Sequence, residues 1–144
     1  MTRNILRSFG AVLLSIFAMF ALLIAVEGIS ALLHPWPEDF AGTPEEVARQ
    51  VATYPVGILV FLGVVGWGGI MFAITWLATR LGTNRHVGHG YGIGVVFLGL
   101  VIMNLSMLPY PIWFWFVLLT VLPVAAYFGT TTAASFKSES EEPS

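Results

Sequence analysis

Few side chains in this sequence could do chemistry, and Glu27 is the most telling. It is the only charged residue in an apolar run from Phe9 to Leu33. If the run is helical, Ser30, Ala31 and His34 follow on the same face. An ionised carboxylate in hydrocarbon costs at least about 2.5 kcal/mol, so it should face other helices and be hydrogen-bonded. Asn104 is the matching group. It precedes Pro109 in a second apolar run of the same direction, at nearly the depth at which Glu27 precedes His34. Polar groups without access to water pair with one another. The expectation is therefore a Glu27–Asn104 contact, with Ser30 and His34 as neighbours. The alternative use of Glu27 is proton coupling in a carrier of a small solute.

The other candidates are incomplete. His86 and His89 lie three apart, but no cysteine or nearby acid completes a metal site with them. The chain has no cysteine, so it has no thiol nucleophile, disulfide or thiolate-bound metal. No G-x-S-x-G, H-E-x-x-H or P-loop motif occurs. Of the eight acids, four lie in one connection and three in the C-terminal tail, so no catalytic carboxylate pair converges. Gly88-His-Gly-Tyr-Gly-Ile-Gly94 lacks the strand and later acid of a dinucleotide fingerprint. Asn104-Leu-Ser106 spells a glycosylation sequon at a depth where none could be used. The sequence thus predicts no catalytic, cofactor or metal site, and a protein that is not an enzyme.

The elements that must position Glu27 follow from composition. Hydrophobic residues make up 57% and charged residues 10%, where soluble domains carry about 25% charged residues. The apolar residues fall into runs matched to a hydrocarbon core of about 30 Å. Backbone groups must pair within each run, which selects helix, and no period-2 alternation suggests a barrel. The predicted fold is an all-α membrane protein: transmembrane helices at 9–33, 57–80, 91–108 and 112–128 in an antiparallel bundle. The first run is too long for a signal peptide and no small-residue cleavage site follows it, so it is expected to stay as a helix.

Charge orients the bundle. Arg3, Arg7, Arg80, Arg85 and Lys137 fall on one side, and only Arg49 on the other. The positive-inside rule places both termini in the cytoplasm, with 1–8, the loop 81–90 and the tail 129–144 inside. The tail ends in a polar, acidic stretch expected to be disordered. Outside lie the turn 109–111 and the connection 34–56. In that connection Thr43-Pro-Glu-Glu46 has the form of a capping box, predicting a short helix over 44–53 on the outer membrane surface. Tyr54, held before Pro55, should end it. Trp36, Tyr110, Trp113 and Trp76 fall near the two boundaries as an aromatic belt.

Small residues should set the helix packing. Gly63, Gly66, Gly69 and Ala73 recur along the second span, and Gly90 and Gly94 open the third. Such residues let backbones approach where hydrophobicity drives no association. The expectation is that they join spans two and three within one chain, with a homodimer seam as the alternative. The expected partners are the lipid bilayer and either a second copy or a larger membrane protein. Nucleic acid is excluded by a net charge of −2.

The order of features resembles a group of small four-helix bacterial membrane proteins with no assigned activity. The resemblance rests on Glu27-Gly28 followed by His34-Pro-Trp-Pro37, on Asn104-Leu-Ser-Met-Leu-Pro-Tyr-Pro-Ile-Trp-Phe114, and on the glycine-rich second span ending in Arg80. It covers roughly residues 10 to 130. It implies the four-helix architecture and a bacterial inner membrane, and no activity. Small multidrug transporters also have four helices and an acid in the first. The long first connection and the strong charge bias depart from them. The sequence reading is a polytopic inner-membrane protein with a structural, accessory or interaction role.

Overall fold

A computed structural model describes residues 2–135. Every regular element among the described residues is helical. Four helices are long and apolar enough to cross a membrane: α1 (Thr2–Leu33), α3 (Val56–Leu81), α4 (Val87–Met107) and α5 (Ile112–Ser135). The short α2 (Pro44–Ala52) lies in the connection between α1 and α3.

The helix ends follow local chemistry. At α2 the capping box forms as its residues dictate: Thr43 Oγ1 accepts from the Glu46 amide at 3.3 Å, and Glu46 Oε2 accepts from the Thr43 amide at 3.1 Å. Pro44 sits where its missing N–H costs nothing. Pro55 precedes α3 and blocks continuation of α2. At α4 the His86 side chain caps the helix, accepting from the Gly88 amide at 3.0 Å. Between α3 and α4, Asn84 and Arg85 both take positive φ, 55° and 48°, which reverses the chain within a single turn.

Two helices run beyond the membrane spans expected for them. The first helix begins at Thr2, well before the apolar run does at Phe9. The last helix does not stop at 128 but continues to Ser135. Thr130 and Thr131 return their hydroxyls to carbonyls one turn earlier, Thr130 Oγ1 to Ala126 O at 2.8 Å and Thr131 Oγ1 to Tyr127 O at 2.7 Å. Threonines that look polar in sequence are thereby satisfied within the helix.

The hub is α3, which packs on α1, α4 and α5, most extensively on α5. The core between these helices is filled by Met71 and Ile74 of α3, Phe97 and Leu105 of α4, and Phe114, Leu118 and Leu122 of α5. By contrast α1 is peripheral. Of its 32 residues only Ala11, Ser15, Met19 and Ser30 are buried.

The small residues work differently from expectation. Phe61–Trp67 of α3 is π-helical, and this wider turn rotates the residues that follow. Gly63, Gly66 and Gly69 therefore do not share one partner. A Cβ at Gly63 would meet Phe114 and Leu118 of α5, one at Gly66 would meet Val26 of α1, and one at Gly69 would meet nothing within 4 Å. Ala73 is only half-buried. Gly90 and Gly94 of α4 do face α3, but also α5: a Cβ at Gly90 would run into Thr79 and Thr130, and one at Gly94 would approach Thr75 and Ala126. α3 and α5 also approach closely at Gly129, whose Cβ would overlap Thr75 Oγ1 and Phe72 O.

Candidate functional site

Two places bring polar groups together: one near the α2 end of the helices, around Glu27, and one at the opposite end, around His89.

The first is built on the Val26–Gly66 contact. Because Gly66 has no side chain, Val26 comes against the α3 backbone; a Cβ there would lie 2.7 Å from Val26 Cγ1. The next residue on each helix is thereby placed alongside: Glu27 on α1 and Trp67 on α3. The Trp67 indole N–H acts on the Glu27 carboxyl, but the two do not reach closed hydrogen-bond geometry. The N–H is buried without an acceptor among the described residues. Trp67 is 4% exposed, whereas Glu27 is exposed at the edge of α1.

Trp67 belongs to an aromatic cluster. Its ring lies 6.2 Å from Tyr110 and 6.0 Å from Phe114, and Tyr110 lies 5.2 Å from Phe114. Burial pushes the Tyr110 hydroxyl well above the usual phenol range, with Coulombic repulsion from the nearby Glu27 adding to it. A tyrosine expected at a lipid–water boundary is thus part of the cluster that backs Trp67.

The expected Glu27–Asn104 hydrogen bond is not formed. Asn104 Oδ1 is buried with no partner among the described residues. The physical reason is placement. Matched depth along two helices does not bring them together when α1 packs chiefly on α3. Ser30 is buried at 1% exposure on the α1 face, and its hydroxyl too has no partner among the described residues. His34 serves the connection instead: its Nε2 bonds Thr53 Oγ1 at 3.0 Å, and its ring meets Tyr54 edge-on at 5.1 Å. Gln50 of α2 donates to Pro35 O at 3.1 Å, which ties α2 to the end of α1. Trp67, Tyr54 and Gln50 thus belong to the site but gave no sign in the sequence. Trp67 falls mid-span among glycines, and its aim is set by the π-helical turn.

The second place is a clasp. Thr83 Oγ1 donates to Asn4 O at 2.7 Å, Ser8 Oγ donates to Thr83 Oγ1 at 2.9 Å, and His89 Nε2 lies 2.9 Å from Ser8 Oγ. His89 Nδ1 lies 3.0 Å from His86 O. Each hydroxyl has one proton to give, so the bonds run in one direction from Ser8 through Thr83 to Asn4 O. Arg7 Nε adds a bond to Leu81 O at 3.0 Å. His86 and His89 hold loop and helices here, and no group of three metal-ligating residues forms among the described residues.

No protein-family model, curated protein or solved structure matches the chain.

Proposed function

We propose that the protein is a polytopic inner-membrane protein with an accessory role, and that its α1 face is the docking surface for an integral membrane partner. In this reading the four spans form an antiparallel bundle with both termini in the cytoplasm, and α2 rests on the outer surface. The observation that carries the proposal is Glu27. It is exposed on the one of the four long helices with the fewest buried residues, on the same face as Phe20 and Ile24, which are 53% and 74% exposed. A carboxylate left to lipid is costly, and a partner helix that hydrogen-bonds it removes that cost. Beside it the Trp67 N–H and the Ser30 hydroxyl are buried polar groups without hydrogen-bond partners among the described residues.

The filled core argues for this role over that of a proton-linked carrier. A carrier needs a polar path past its acid, whereas Phe97, Phe114, Leu118 and Leu122 occupy the space between α3, α4 and α5 at 0–1% exposure. The same reading assigns the chain no reaction of its own. The test is the size of the assembly in mild detergent. Glu27→Leu should release the chain from its complex on a native gel, and Glu27→Gln, which still hydrogen-bonds, should leave it largely bound. Equal migration of wild type and Glu27→Leu would contradict the proposal.

A further inference from the structure

We infer that the end of the molecule around His89 holds an anionic phospholipid, with its headgroup among Arg3, Arg85 and His86 and its acyl chains in the clefts on either side of the α1–α4 seam. The Ser8–His89 bond bridges α1 and α4 there, and a cleft opens on each side of it. One, of about 480 Å³, is walled by Ile5, Phe9 and Val12. The other, of about 430 Å³, is walled by Val12, Ile16, Ile93 and Val96. Both share Val12 and His89, so they flank one bridge. Their walls are apolar and their polar groups sit at one end, which is the division of a phospholipid into chain and headgroup.

Charge selects the headgroup. Arg3 and Arg7 on the first turns of α1, and Arg80 and Arg85 at the α3–α4 turn, gather at this end. The described acids, Glu27, Glu38, Asp39, Glu45 and Glu46, all lie towards the other end. Arg85 Nη1 is buried with no hydrogen-bond partner among the described residues. Basic pockets between membrane helices at the headgroup level are a known mode of anionic lipid recognition.

The experiment uses the purified full-length chain in detergent, with phosphatidylglycerol or phosphatidylcholine of matched acyl chains added. Native mass spectrometry counts bound lipid, and the thermal midpoint reports stabilisation. Phosphatidylglycerol should remain bound and raise the midpoint more than phosphatidylcholine does. Arg3→Gln with Arg85→Gln should cut the preference by about thirtyfold, from the typical value of a basic residue at a charged membrane surface. Arg49→Gln should leave it unchanged. Ile5→Trp and Val96→Trp, at positions 62% and 52% exposed and so outside the core, should lower lipid occupancy with every cation in place.

 Equal binding of the two lipids would overturn the inference. So would a preference that survives loss of Arg3 and Arg85. A preference lost with the charges but untouched by the tryptophans would overturn the cleft as the seat.

Discussion

Glu27 of α1 lies beside Trp67 of α3, whose buried indole N–H has no acceptor at bonding distance among the described residues. The pair stands next to a close contact of the two helices, Val26 on Gly66. An acid at the edge of the protein and an unsatisfied donor behind it leave hydrogen-bonding capacity that lipid cannot meet.

Helix packing makes the sharpest stability prediction. Gly90→Ala and Gly129→Ala place a methyl group where Thr79, Thr130, Thr75 and Phe72 already stand. Each should cost about 1–3 kcal/mol through overpacking. Gly92→Ala and Gly69→Ala meet nothing within 4 Å and should be neutral or slightly stabilising, since alanine favours helix. Thermal unfolding in detergent separates the two classes; equal losses at Gly90 and Gly92 would contradict the packing described.

The α2 cap predicts a pH dependence. The Thr43 amide is the largest influence holding the Glu46 carboxyl below the usual carboxylate range. A carboxyl depressed in the folded state contributes stability above its unfolded pKa and loses it as pH falls through the folded value. Hydrogen exchange of the amides at 43–47 should therefore stay slow through the ordinary carboxylate range and quicken only below it. Glu46→Gln, which can still close a capping box, should remove the pH dependence and keep the protection, whereas Glu46→Ala should lose both.

Orientation is testable because the chain has no cysteine of its own. Glu45→Cys and Asn84→Cys are both at exposed positions, in α2 and in the α3–α4 turn. An impermeant thiol reagent applied to cells with a permeable outer envelope should label position 45 and spare 84. The opposite pattern would reverse the proposed topology.

Much of the fold was legible in the sequence because a bilayer imposes a length. Four apolar runs are visible as such, and Thr43-Pro-Glu-Glu46 announces the start of α2. What was not legible depends on rotation about the helix axis. Depth can be counted from Pro109 and His34, so Glu27 and Asn104 could be matched in height. Their facing could not be counted, because it depends on α1 packing against α3. The π-helical turn at Phe61–Trp67 has no compositional mark, yet it sends Gly63 to α5, Gly66 to α1 and Trp67 to Glu27. The end of α5 was missed because Thr130 and Thr131 read as tail residues until their hydroxyls are seen to bond back into the helix.

The accessory role is tested most directly by placing a photo-crosslinking amino acid at Ile24, one turn before Glu27, in native membranes, with Val95 of α4 as the control. Both positions are exposed, at 74% and 69%. Irradiation should join position 24 to a membrane protein, while position 95 gives lipid adducts only, and Glu27→Leu should abolish the protein adduct. An adduct of doubled mass would identify the partner as a second copy of the chain. Lipid adducts alone at position 24, or a protein adduct indifferent to Glu27→Leu, would contradict the account.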